Sequence, residues 1–251
     1  MNLNLKNFLR LVAAAPLLIT SSMALADDGS NTFASFQDAN SLRNFVFTAG
    51  ANSASFNAVA DPVNFQYTVG GLMSALVGNQ LAHLTMTSST TKSAKSDDDT
   101  GYDSQAITST MTISITRDTA IGGKSNLLTA VITKGGYNAA LTGVNGGTGV
   151  GFQTATPSQN ITYTSDFLNF ASAGTISKSM GLSLSGLNTP LVVSGNYLAS
   201  FSGNAVGTFS ANPSPIALSP VPEPASYAMM FLGLGFISFK ARRKSSKKTD
   251  A

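Results

Sequence analysis

Along much of the chain, apolar and polar residues alternate one for one instead of recurring every three or four positions. Val63, Phe65, Tyr67 and Val69 alternate with Asn64, Gln66 and Thr68. Met111, Ile113 and Ile115 alternate with Thr110, Thr112, Ser114 and Thr116, so sulfur and branched carbons fall on one side and hydroxyls on the other. Leu84 with Met86, the series Ile161, Tyr163 and Ser165, and the series Met180, Leu182 and Leu184 keep the same beat. A period of two matches the alternating side chains of a pleated strand with one face buried, and predicts antiparallel strands.

Glycine pairs and Asn-Gly steps punctuate these runs: Gly122-Gly123, Gly135-Gly136, Asn145-Gly146-Gly147, Gly195-Asn196 and Gly203-Asn204. Leu191 to Ser194, Gly195-Asn196, then Tyr197 to Phe201 predicts a hairpin, because Gly-Asn supplies the positive φ of a two-residue turn. Val206 to Ser210 extends it to a third strand. Short helices are expected at Gly70 to Asn79 and at Ser165 to Ala173. Nine or ten short strands in one body predict an all-β fold, an antiparallel β-sandwich or jelly-roll-like domain. No repeat of fixed period points to a solenoid.

The two ends depart from this pattern. Lys6 and Arg10 precede the apolar run Leu11 to Ile19, too short to span a bilayer, and Ala24 and Ala26 sit where a signal peptidase needs small side chains. Residues 1–26 therefore read as a signal peptide cleaved after Ala26, and 27–211 as a β-rich exported domain. Residues 212–224 hold five of the nine prolines, whose fixed φ and missing N–H favour an extended tether. Residues 225–239 carry no charge; as a helix they reach about 22 Å against a hydrocarbon core of about 30 Å. Local thinning and snorkelling make up the difference for a short transmembrane helix. Residues 240–251 are a basic tail whose Lys240, Arg242, Arg243 and Lys244 belong on the cytoplasmic side, leaving the body outside.

Val221-Pro222-Glu223-Pro224, a short apolar helix and a terminal basic cluster, in that order, resemble the PEP-CTERM sorting signal of exported Gram-negative bacterial proteins. The resemblance covers about the last thirty residues. It implies recognition of Pro222, Glu223 and Pro224 by exosortase, an integral-membrane cysteine protease, followed by processing. The chain departs from the pattern in extending its basic stop through Ser245 to Ala251. Two prolines flanking one carboxylate also give a physical reason for such a signature: they hold the backbone extended where a membrane enzyme can read it.

Charge supports this division. The formal net charge is +3, yet residues 27–239 contain seven basic against eleven acidic residues. The excess of positive charge belongs to the flanks, so nothing argues for nucleic-acid binding. The absence of cysteine excludes disulfide scaffolds, thiolate metal sites and cysteine nucleophiles.

Candidate chemistry in the body is sparse. Asp97, Asp98, Asp99 and Asp103 put four carboxylates beside Gly101, a density of hard oxygen ligands that suits Ca²⁺, although Ile107 stands where a calcium loop needs a bidentate Glu. A solvated loop tip balanced by Lys92 and Lys95 is the plainer reading. His83 lacks a Gly-x-Ser-x-Gly elbow to serve. Asp61, Asp118 and Asp166 are scattered singles, where glycoside hydrolysis needs a facing pair. The glycine-dense Gly143 to Gly151 lacks the Lys of a phosphate loop.

The sequence thus predicts a non-enzymatic cell-surface or extracellular-matrix protein, associated with biofilm or floc through its tail's resemblance. Its partners would be signal peptidase, exosortase and, through the C-terminal helix, membrane lipid. The alternatives are a module that binds extracellular polysaccharide through Tyr102, Tyr137 or Tyr163, with or without Ca²⁺, and an Asp-dependent hydrolase.

Overall fold

The computed structural model describes residues 31–134, 139–155, 159–171 and 177–216. The cleavage site at Ala24 and Ala26, Tyr137, and the tail from Val221 onward lie outside the described residues.

The alternating runs form strands. The first half of the fold comprises β1 (Asn31–Asp38), β2 (Phe45–Ala49), β3 (Ala54–Tyr67), β4 (Gln80–Thr87), β5 (Ser89–Thr90), β6 (Lys95–Asp97), β7 (Tyr102–Ala106), β8 (Met111–Ile121) and β9 (Lys124–Lys134). Then come β10 (Ala140–Val144), β11 (Val150–Ala155), β12 (Gln159–Thr164), β13 (Leu168–Asn169), β14 (Ser179–Ser185), β15 (Val193–Ser194), β16 (Tyr197–Leu198), β17 (Phe201–Ala211) and β18 (Ser214–Pro215). Fourteen of them join one sheet, whose main path runs β12-β9-β8-β4-β3-β1-β17-β14-β11-β10-β7-β6, with β2 and β5 attached to β3. Each ladder along that path is antiparallel.

This sheet curls back on itself, so the sandwich-like body comes from one continuous sheet. β12 ends the path, yet its Tyr163 ring lies 5.2 Å from Phe33 of β1 and 6.1 Å from Phe209 of β17. The Tyr67 hydroxyl of β3 donates across the interior to the Leu127 carbonyl of β9. β3 is bent by a bulge between Ala58 and Asp61, with Ala60 at φ 47°. Its first half pairs β2 and β5, and its second half pairs β1 and β4. A bulge inserts an unpaired residue and increases local twist, which lets one strand serve both parts of the roll.

The core has no Trp and no Cys to draw on, and it is built largely of phenylalanine: Phe33, Phe45, Phe47, Phe56, Phe65, Phe152, Phe167 and Phe209 are all fully buried. The residues picked out by alternation sit where the period places them. Val63, Phe65, Tyr67, Met111, Ile113, Ile115, Met180, Leu182 and Leu184 all face inward.

Three local expectations change. Gly70 to Asn79 holds only a 3-10 turn at Ser74–Leu76, because Gly71 and Gly78 both adopt positive φ and close it off. In the described part of Ser165 to Ala173, the Ser165 hydroxyl accepts from the Phe167 N–H and Leu168–Asn169 pairs with β18, so a two-residue strand stands where helix was expected up to Phe170. The hairpin at Gly195 exists, but only Val193–Ser194 and Tyr197–Leu198 pair in it; Val206 to Ser210 belongs instead to β17, between β1 and β14. The folded body also continues past residue 211: Leu168 pairs with Pro215, and the Ile216 N–H donates to the Phe167 carbonyl at 2.9 Å.

Candidate functional site

The outward residues of the central strands line a groove of about 940 Å³. The register aligns them in two rows that run across the strands. In the first row Gln66 of β3 lies opposite Ser35 of β1, Ser35 opposite Thr208 of β17, Thr208 opposite Gly181 of β14, and Gly181 opposite Gln153 of β11. The second row runs Asn64, Gln37, Val206, Ser183, Gly151 and Thr142, from β3 to β10. Six strands at the usual spacing make this row about 24 Å long, and the two rows lie about 7 Å apart. Tyr102 of β7, 46% exposed, joins the lining at the β10 end and Asn79 joins it at the β3 end.

The chemistry of the lining is uniform. It contains amides, hydroxyls, glycines and a few apolar side chains, and not one Asp, Glu, Lys, Arg or His. Among the described residues, the side chains of Gln37, Asn64, Gln66 and Gln153 make no hydrogen bond to the protein. Several amides elsewhere are tied down: Asn44 to Asp61, Gln105 to the Lys92 carbonyl, Asn145 to Asp103, and Asn188 to the Ser202 N–H.

The expected calcium loop is divided by burial. Asp103 is fully buried, accepting from the Ser96 hydroxyl at 2.7 Å, Asn145 Nδ2 at 3.0 Å and the Val193 N–H at 3.1 Å. Asp97, Asp98 and Asp99 stay exposed at the turn, where Asp97 accepts from the Asp99 and Thr100 N–H groups. Hydrogen bonds from Thr100, side chain first and then backbone, hold the Asp97 carboxyl below its usual range. Among the described residues no group of three or more His, Asp or Glu side chains gathers around a point that can hold a metal ion. Of the three tyrosines, Tyr102 lines the groove. Tyr163 is buried, its hydroxyl donating to the Ser179 carbonyl, so it cannot present a ring to a ligand.

His83 lies on β4, its Nε2 3.0 Å from Asp118 and its Nδ1 3.2 Å from the Ala60 carbonyl. Asp166 is a turn residue, accepting from the Ser125 and Asn126 N–H groups. Asp61 is paired after all, with Asp38. The Asp38 carboxyl accepts from the Ala205 N–H at 2.7 Å, and its Oδ1, like Oδ2 of the 1% exposed Asp61, is buried without a hydrogen-bond partner. Burial, then the neighbouring Asp61 carboxyl, pushes the Asp38 carboxyl up to about 8. Asp38 and Asp61 are absent from the groove lining.

Residues 220–244 match the family model of the PEP-CTERM protein-sorting motif. The chain carries this sorting motif. It begins four residues after Ile216, the last described residue, and includes Val221 to Pro224 and the basic cluster Lys240, Arg242, Arg243 and Lys244. The PEP-CTERM motif supports export and exosortase-dependent sorting, and it covers the tail alone. No curated protein and no solved structure matches the chain.

The groove was not read from the sequence. Its signal was present: Gly151 and Gly181 stand at outward positions of strands whose inward residues are Val150, Phe152, Met180 and Leu182. Alternation places them on the surface, but only the strand order puts them side by side.

Proposed function

We propose that the protein is an exported cell-surface or extracellular-matrix component, delivered by exosortase, whose β domain works by binding rather than by catalysis. The observation that carries this reading is the PEP-CTERM motif placed directly behind a compact β body. Residues 1–26 serve as a signal peptide removed by signal peptidase after Ala26. The uncharged stretch 225–239 holds the chain in the inner membrane with the body outside, until exosortase acts near Pro222, Glu223 and Pro224. The disposition of the Asp residues is the supporting argument against hydrolysis. Among the described residues the buried pair Asp38 and Asp61 is sunk beside Ala205 and Asn44, and the groove brings no carboxyl to a bound chain.

The experiment is fractionation of producing cells carrying Glu223→Ala, Pro222→Ala, or a deletion of residues 240–251. Each change is expected to leave the protein in the inner membrane and to deplete the surface and medium. An unchanged distribution contradicts the reading.

A further inference from the structure

We propose that the groove is a binding site for an uncharged polysaccharide, which lies across the strands along the two rows of side chains and passes closest to the backbone over Gly151 and Gly181. This rests on the reading of the β domain as a binding body, and names its ligand class.

The glycines carry the argument. A glycine within a strand weakens it, having no side chain to pack and more freedom to lose on folding, and one common reason for its presence is close approach of another chain or a ligand. Other glycines here have internal reasons. A Cβ on Gly207 would stand 2.3 Å from the Phe36 ring, and one on Gly203 would stand 2.7 Å from Leu187. Gly151 has no such reason: a Cβ there meets only the Thr142 carbonyl at 3.9 Å. At Gly181 the nearest atom is Thr208 Oγ1 at 3.4 Å, and neither residue adopts a positive φ. Space and conformation both admit a side chain, and what its absence leaves is an open floor on two adjacent strands, β14 and β11.

The walls select the ligand. Each free amide offers a carbonyl acceptor and an NH₂ donor, which is what a sugar hydroxyl, itself donor and acceptor, satisfies on both counts. Asn64, Gln37 and Gln66 stand at one end and Gln153 at the other, with Gly181 between them and Gly151 beside Gln153 on the same strand. Tyr102 adds an exposed ring against which the apolar face of a sugar packs. A charged polymer would find no counter-ion in the lining, and burying an unpaired charge is unfavourable. A peptide strand would seek the unpaired backbone of a sheet edge, which the face of a central strand does not offer. A site of about 24 Å calls for several sugar units at once, so affinity is expected to grow with chain length.

The test is calorimetric titration of the exported protein, purified from producing cells, with a panel of uncharged oligosaccharides of two to six units (β-1,4- and β-1,3-glucan, α-1,4-glucan and mannan), and with alginate and polygalacturonate hexamers as anionic controls. At least one uncharged series is expected to bind, more tightly with length and without salt dependence. Gly151→Leu is expected to weaken that binding by about tenfold or more at an unchanged melting temperature, and Tyr102→Ala by about three- to tenfold. Failure of every uncharged series to bind overturns the proposal. So does a Gly151→Leu protein that folds and binds like the parent, or stronger, salt-sensitive binding of the anionic hexamers. A protein that reaches the surface but binds none of the panel overturns the ligand assignment alone, whereas failure of the fractionation experiment removes the delivery reading and leaves these titrations interpretable.

Discussion

At the bend of β3, Asp38 Oδ1 and Asp61 Oδ2 are both buried and neither finds a hydrogen-bond partner in the protein. Burial disfavours an ionised carboxyl that has no donor to offset its lost hydration, and the neighbouring Asp61 adds to the cost, so Asp38 keeps its proton. The Asp38 carboxyl, pushed up to about 8, holds its proton in the folded chain and releases it near 4 in the unfolded one. The folded state therefore binds the extra proton, and the stability it contributes is complete below pH 4 and is lost as pH rises toward 8.

The melting temperature is accordingly expected to fall between pH 5 and pH 9. Because Asp38 is partly open to solvent, the loss is discounted to about 1–2 kcal/mol, or about 2–8 °C in a domain of this size. Asp61→Asn supplies a neutral partner and should flatten that slope. A melting temperature that climbs over the same range rules out a protonated Asp38 in the folded chain.

Gly207 and Gly151 make opposite demands on an added methyl group. Gly207→Ala drives a Cβ into the Phe36 ring and is expected to destabilise by about 1–3 kcal/mol, whereas Gly151→Ala should be neutral or slightly stabilising. Chemical denaturation of the two variants side by side measures the difference. Equal losses would mean that the floor of the groove is a packing feature.

Tyr67 ties the two layers of the roll together. Its buried hydroxyl donates to the Leu127 carbonyl and lies 3.2 Å from Ser165 Oγ, and burial raises its pKa well above that of a free phenol. Tyr67→Phe leaves the Leu127 carbonyl without its side-chain donor and is expected to cost about 1–3 kcal/mol in denaturant unfolding. A loss within error would show that the carbonyl has another donor.

Asp103 is a structural anchor, taking three hydrogen bonds from Ser96, Asn145 and Val193. Asp103→Ala strands these donors and is expected to destabilise by about 3 kcal/mol or more. Millimolar Ca²⁺ should leave the melting temperature of the parent unchanged. A calcium-dependent rise would show that Asp97, Asp98 and Asp99 are joined by ligands from elsewhere.

The strands were legible because their chemistry is local. Val63, Phe65 and Tyr67, or Met180, Leu182 and Leu184, declare a buried face through side chains two residues apart, and burial follows that beat. The C-terminal sorting motif was legible for a related reason, since a sorting signal is read along the chain and not across a fold. What stayed hidden depends on register between distant segments. Asp38 reaches Asp61 because β1 pairs with the second half of β3, and the groove exists because β17 inserts between β1 and β14. The expected helix at Gly70 to Asn79 failed for a local reason, glycines with positive φ at both ends.

The measurement that bears most directly on the account is the intact mass, with sequenced termini, of the protein from the cell surface and medium compared with the membrane fraction. A surface species that begins at Asp27 and ends near Pro222 is the predicted result. A chain found only in the membrane, still ending at Ala251, would contradict it.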